Sequence, residues 1–264
     1  RYHQQPVPIV IVGGGPTGVE LAGALAELSR VLHKDFPELG PSPLRVTLVE
    51  AGSVILSMFP GSLSAIAKRD LERRGVNVLL DAQVAEVTKQ DVSLKGGRLL
   101  DSELTIWTAG VKGNAISSLL TQRMDIAARR DDRIVIDEHC RPAADKFPNV
   151  FVIGDLAAFL DADGKPLPMV APVAMQMGRH IAKFLIKPDV AGFKYKDKGS
   201  MATIGRSDAV VAANGIKLSG FIAWVAWLGL HLAYLLGGRN KLQVVIDWAW
   251  NYLTYDRTAR QILR

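Results

Sequence analysis

Residues 10–23 read VIVGGGPTGVELAG, a run of apolar residues that passes through a glycine cluster into an alanine-rich amphipathic stretch. Pro8 to Val12 has the pattern of a short buried strand, and Val19 to Val31 that of a helix. Between them lies G-x-G-x-x-G, and a strand, tight turn and helix in that order are the context in which this motif cradles a dinucleotide. Gly13 permits the turn, Gly15 lets the backbone approach a pyrophosphate, and Gly18 lets the helix pack closely on the strand. The helix N-terminus, with Pro16 and Thr17 in its first turn, offers N–H donors and partial positive charge to the phosphates.

Working outward, a polar, Pro-rich stretch from His33 to Pro43 precedes a second strand, Arg45 to Val49, ending at Glu50. An acid there can accept both hydroxyls of an adenosine ribose. It also favours NAD over NADP, because a 2'-phosphate needs an arginine and Ala51-Gly52 supplies none. Glu50 lies farther from the glycines than the usual spacing of about 20 residues, and the Pro-rich insertion accounts for the excess. A helix over Leu63 to Arg74 and a strand over Val76 to Leu80 complete a parallel βαβαβ alternation. Three short segments, Gln83 to Thr88, Asp91 to Leu94 and Arg98 to Asp101, read as an antiparallel meander turning at Gly96-Gly97. The strand Leu104 to Trp107 then runs into Thr108-Ala109-Gly110.

Farther on, Arg133 to Ile136 and Val150 to Ile153 have the pattern of two buried strands, the second ending at Gly154-Asp155. Pro172 opens a helix that runs to about Ile186. Gly199 to Ala213 is strand-like. From Phe221 to Leu236 the chain is apolar apart from His231 and Tyr234. As a helix those residues reach about 24 Å, short of the roughly 20 residues that a span requires. A buried, interfacial or re-entrant helix is therefore expected. Gly237-Gly238 closes it, and Asn240 is placed to cap a second helix. There Gln243, Asp247, Asn251 and Thr254 form a polar stripe opposite Val245, Trp248, Trp250, Tyr252 and Leu253. Tryptophans suit a headgroup boundary, and Arg239, Lys241, Arg257, Arg260 and Arg264 suit anionic lipid. Truncation before Gly220 is expected to leave a soluble protein.

Composition narrows the function. The 264 residues are 48% hydrophobic, enough for one large or two smaller cores. The single cysteine, Cys140, excludes an intrachain disulfide, a C-x-x-C redox pair and a cysteine zinc site, so redox chemistry needs a cofactor. No metal is implied. The net charge of +6 has no basic arm with interleaved aromatics, which argues against nucleic acid and leaves an anionic membrane surface as a better partner.

The segments VIVGGGPTGVELAG, LVEAG, WTAGV, VFVIGD, APVAMQMG, YKDKGSMATIGR and SGFIAWVAWLGLHLAYLLGGRNK together resemble a two-dinucleotide flavoprotein, and within that group the type II NADH dehydrogenases. The resemblance implies an α/β fold in which a Rossmann-like NAD-binding domain is inserted in an FAD-binding domain, followed by C-terminal amphipathic membrane-anchoring helices. The implied domains are residues 1–112 for NAD with the meander, 113–198 for the C-terminal half of the FAD domain, and 199–264 for anchoring and dimerisation. Gly13, Gly15, Pro16, Thr17, Gly18, Glu50, Ala109, Gly110, Gly154, Asp155, Ala171, Pro172 and Val173 are the implied cofactor-binding positions. Asp155 would bond the ribityl chain of FAD, and the helix beginning near Ala171 would point its N-terminus at the pyrimidine ring.

Glu20 matches an acid beside the nicotinamide, with a role in positioning or proton supply. Gln176 matches the second glutamine of a quinone-site A-Q-x-A-x-Q motif whose first glutamine is Pro172 here. The implied activity is hydride transfer from NADH to FAD and electron transfer to a membrane quinone. It would be carried out by a non-proton-pumping, monotopic respiratory homodimer on the cytoplasmic face of a bacterial inner membrane. Because there is only one G-x-G-x-x-G and the chain opens at Arg1, the fingerprint that begins the FAD domain is expected upstream. Residues 1–264 alone are then expected to bind NADH weakly and to purify without flavin. A non-catalytic NADH-binding redox sensor, a ferredoxin reductase and a sulfide:quinone oxidoreductase remain alternatives.

Overall fold

In the computed structural model, residues 5–36, 39–161 and 163–254 are described. The chain divides into two compact units, residues 1–109 with 199–264, and residues 110–198.

The first unit is built on a parallel sheet. Strand β1 (Val7–Val12) leads through the glycine turn into α1 (Pro16–Asp35), then β2 (Leu44–Val49), α2 (Gly61–Arg73) and β3 (Asn77–Leu79). An antiparallel meander of β4 (Val84–Val87), β5 (Asp91–Leu94) and β6 (Leu99–Asp101) precedes β7 (Leu104–Trp107). The parallel strands lie in the order β3-β2-β1-β7, with Val12 opposite both Val49 and Trp107.

Strand β1 is apolar at every position because the sheet is covered on both faces. Ile9 and Ile11 join Val19, Ala22, Leu48 and Leu71 in one core, whereas Val10 and Val12 join Val49, Val92 and Leu94 in another. The helices therefore cover one face and the meander the other.

The region from residue 199 folds with this sheet. Strands β10 (Ser200–Gly205), β11 (Asp208–Ala213) and β12 (Ile216–Ser219) form a second antiparallel meander, where the sequence reads as a single strand-like stretch. The break is a tight turn with Ser207 at φ +62. Alternation along β10 and β11 sends Ala202, Ile204 and Val210 into the core under α1, and Ala209 and Val211 to the opposite face. Helix α5 (Gly220–Tyr234) covers that opposite face through the fully buried Ala223. Removing α5 would bare these residues to water.

Helix α6 (Gly238–Thr254) starts two residues before Asn240, so Asn240 is not its cap; its Nδ2 donates to the Leu236 carbonyl at 3.1 Å, beyond the end of α5. Lys241 likewise donates to the carbonyl of Ala233, within the last turn of α5. Of the expected α6 stripes, Gln243 and Asp247 are exposed, but so are Trp250 and Leu253, while Trp248 is half-buried. The side chain of Asn251, and Arg257, Arg260 and Arg264, lie outside the described residues.

Helix α1 is fitted to β10 along one face. Glu20, Gly23 and Glu27, spaced i, i+3 and i+7, meet the backbone of Thr203, Ile204 and Arg206 in turn. A Cβ at Gly23 would sit 1.8 Å from the Ile204 carbonyl oxygen, which is why this helix carries a glycine in its interior. Arg74, just beyond α2, pairs with Glu27 at 3.0 Å and Asp208 at 3.1 Å, tying α1, α2 and β11 together with little exposure.

The second unit contains α3 (Ile116–Met124), a two-strand parallel pair of β8 (Ile134–Val135) and β9 (Ala157–Ala158), and α4 (Ala171–Ile186). Ile134, Cys140, Val152, Val173, Met177 and Phe193 form its core. The strand expected over Val150 to Ile153 is not formed. The Val152 amide donates to the Cys140 carbonyl at 2.8 Å, but no ladder of successive pairs follows, and β-structure requires one. Ladder pairing occurs instead at β9, just after the Gly154–Leu156 3₁₀ turn.

Candidate functional site

Three strand ends converge where the glycine cluster lies: Gly13 follows directly on β1, Glu50 on β2 and Thr108 on β7. Gly13 has φ +113, and a Cβ there would fall 2.8 Å from the Ala109 amide nitrogen. A Cβ at Gly18 would fall 1.9 Å from the Gly13 carbonyl oxygen, so this glycine sets the approach of α1 to the turn. Gly15 is different. Nothing lies within 4 Å of where its Cβ would be, which leaves open space beside the first residue preceding α1. Gly15 is the N-cap of α1, and neither a side-chain cap nor a first-turn acid neutralises that terminus among the described residues. Thr17 is exposed beside it.

Glu50 closes the other side. Its Oε2 accepts the Gly14 N–H at 2.6 Å and its Oε1 the Gly52 N–H at 2.7 Å, which fixes the carboxylate at the lip of the turn. Two residues important to this geometry escaped the sequence reading. Gly14 has no room for a side chain, because a Cβ would lie 2.8 Å from Ile55 and 3.0 Å from Glu50. Thr108 places its hydroxyl 2.9 Å from the Val12 carbonyl and 3.1 Å from that of Gly13, clamping β7 to the turn. The available signal was the threonine directly after a buried strand that neighbours β1.

Glu20, one turn into α1, is half-buried, and its Oε1 accepts the Thr203 N–H at 3.2 Å. In this structure its carboxylate is engaged by β10.

In the second unit, Gly110 and Gly154 have φ +71 and +67, the left-handed region that glycine tolerates. Asp155 is exposed in the 3₁₀ turn. Helix α4 begins with Ala171 and Pro172 and, like α1, has neither a side-chain cap nor an acid in its first turn. Val173 faces the core, so only its backbone can serve a ligand. Gln176 makes a paired contact, donating to the Lys196 carbonyl and accepting the Lys196 N–H, both at 3.0 Å. The Cys140 thiol is buried, and burial together with Asp137 pushes its pKa up to about 11, which keeps it protonated and unreactive.

The two candidate cofactor positions share one geometry. Each pairs a positive-φ glycine turn with an uncapped helix N-terminus able to face an anionic or carbonyl-rich group, and at Gly15 the space for it is open.

Against this geometry, comparison with known proteins gives the class. Residues 1–178 match the model of the pyridine nucleotide-disulphide oxidoreductases, and the chain belongs to that family. Within it, the resemblance to type II NADH dehydrogenase is supported, since residues 198–255 match the NDH2 C-terminal domain. The type II NADH:quinone oxidoreductase Ndh of Mycobacterium tuberculosis is 35% identical over 94% of this chain and 54% of its own length. The corresponding enzyme of Haemophilus influenzae is 32% identical over 92% of this chain and 56% of its own. The chain thus spans about half the length of the curated relatives it matches. The structure of NDH2 from Plasmodium falciparum in complex with NADH shares the fold, with a TM-score of 0.83 at 18% identity over 94% of this chain and 66% of that one.

Proposed function

We propose that this chain is the NADH-binding and C-terminal part of an FAD-dependent NADH:quinone oxidoreductase. The observation that carries the reading is the cradle of Gly13, Gly15, Gly18 and Glu50 on the same unit as the NDH2 C-terminal domain. Gly15 and the N-terminus of α1, including Thr17, hold the pyrophosphate of NADH, with Pro16 setting the first turn. Glu50, already oriented by Gly14 and Gly52, accepts the ribose hydroxyls. Thr108 and Ala109 keep the turn in shape.

FAD, when bound, supplies the chemistry of taking a hydride from NADH and passing electrons to quinone. Asp155 is placed to accept hydrogen bonds from its hydroxyls. Gly154 and the α4 terminus at Ala171, Pro172 and Val173 offer it backbone contacts, and Gly110 shapes the preceding turn. Glu20 orients the nicotinamide or supplies a proton from a position fixed by Thr203. Gln176 contributes to the quinone side by holding the segment around Lys196.

Membrane association is peripheral in this reading, as a monotopic homodimer on the cytoplasmic face of a bacterial inner membrane. No helix among the described residues is long and apolar enough to cross a membrane. Phe221, Ile222, Ile246 and Trp250 are more than half exposed and suit the interface, with Arg239 available to anionic lipid.

The test is the full-length protein in detergent. One FAD per chain and quinone-dependent NADH oxidation are expected. NADH binding without flavin and without turnover would instead identify a redox sensor.

A further inference from the structure

Between α5 and α6 the structure contains a cavity of about 670 Å³. Its walls include Trp224, Trp227, Leu228, Leu232, Val245 and Trp248, and none of the residues proposed above to hold a nucleotide lines it. The lining positions on α5 run from 224 to 232, about 12 Å along the helix, and those on α6 fall at 245, 248, 249 and 252, a single stripe. The shape is therefore a slot between two helices, within the volume range of ligand sites.

Among the described residues two charged side chains line it, Glu27 and Arg206, and both are engaged with protein groups. Glu27 accepts the Arg206 N–H and pairs with Arg74, and the Arg206 guanidinium donates to the Tyr252 carbonyl while lying 4.5 Å over its ring. A ligand in the slot thus meets hydrocarbon, indole faces and two charged groups already committed to protein partners, which selects a neutral, apolar body. The walls also continue into the surface. Val225 and Val245 line the cavity while 48% and 41% exposed, and Phe221, Ile222, Ile246 and Trp250 on the same helices are more exposed still. The mouth consequently opens onto apolar surface.

We infer that this slot binds one acyl chain of a membrane phospholipid, which would take apolar wall now open to water out of contact with it. The inference rests on the proposed membrane contact of α5 and α6, and it adds a discrete lipid site to that contact.

The experiment uses the full-length holoenzyme in micelles and follows quenching of tryptophan fluorescence by 16-doxyl-stearic acid methyl ester. Trp224, Trp227 and Trp248 report on the slot itself. Saturable quenching at one probe per chain, displaced by dioleoyl-phosphatidylcholine, is expected. Gly229→Phe should weaken the saturable component at least about tenfold, because Gly229 lines the slot and has nothing within 4 Å of its Cβ position. Ala249→Leu, also in the lining, serves as the second filling variant. Both should keep NADH oxidation with a short-tailed, water-soluble quinone.

Linear quenching without saturation, or saturation unchanged in both variants, overturns the site. Displacement by a long-tailed quinone but not by phospholipid overturns the acyl-chain assignment, and shielding of the indoles by self-association without any lipid effect assigns the slot to a second copy of the chain. Saturable, variant-sensitive quenching in a protein that fails to oxidise NADH supports the lipid site while striking the enzymatic reading.

Discussion

Glu50 holds two backbone amides with separate oxygens, Gly14 at 2.6 Å and Gly52 at 2.7 Å, so its position is set before any nucleotide arrives. A preorganised carboxylate costs little to reorient on binding, and its charge opposes a 2'-phosphate. Glu50→Gln keeps one acceptor oxygen and loses the charge. The expected outcome is a preference for NADH over NADPH narrowed by about tenfold, equivalent to about 1.4 kcal/mol, read from the two dissociation constants. An unchanged ratio would detach nucleotide choice from this residue. The position of Glu50 was legible in the sequence because strand-end acids after a glycine motif have a fixed topological place. The contributions of Gly14 and Thr108 were not, because each depends on a neighbour, Ile55 or Gly13, whose distance only the folded turn defines.

At the scale of elements, the C-terminal meander is joined to α1 by close backbone contact. Gly23 is the position where this is most demanding, with no space between its Cα and the carbonyl of Ile204. Gly23→Ala improves intrinsic helix propensity, yet must push α1 and β10 apart. Destabilisation of about 1–3 kcal/mol in urea unfolding is expected. Gly61→Ala, at the start of α2 where nothing lies within 4 Å, is the control and should be neutral or slightly stabilising. Equal effects of the two substitutions would remove packing as the reason for Gly23. The same element explains why α5 is apolar all round. One face lies on β11 through Ala223, and the other holds Phe221 and Ile222 at the surface.

For the molecule as a whole, stability is expected to fall on acidification, in part through His180. Burial, and next the neighbouring His139, hold its pKa below the ordinary histidine value, outweighing the opposing backbone contact of Glu138 and the charge of Asp137. The two rings stack with centroids 5.6 Å apart against Phe184 and Phe193. With the folded pKa depressed, the unfolded chain binds more protons as pH drops below about 6.5. The stabilising contribution of neutral His180 is therefore full above that pH and is lost as pH falls toward the folded value. Thermal unfolding followed between pH 7.5 and 5.5 should show a declining midpoint, with a shallower decline in His180→Gln. Parallel slopes in the two proteins would place the acid sensitivity elsewhere.

The sequence by itself determined the parallel sheet, the glycine cradle, the acid at the end of β2 and the family resemblance. Each follows from local patterns: the periodicity of buried strands and helices, or the short-range demands of a turn that only glycine meets. Tertiary structure alone decided what the patterns leave open. It placed residues 199–219 as three strands against α1, replaced the expected strand at Val150 with a pair at β9, and engaged Glu20 with Thr203 and Gln176 with Lys196. Those outcomes depend on which distant backbone comes within hydrogen-bonding reach. Period and composition encode the face that a residue presents, but not the partner that meets it.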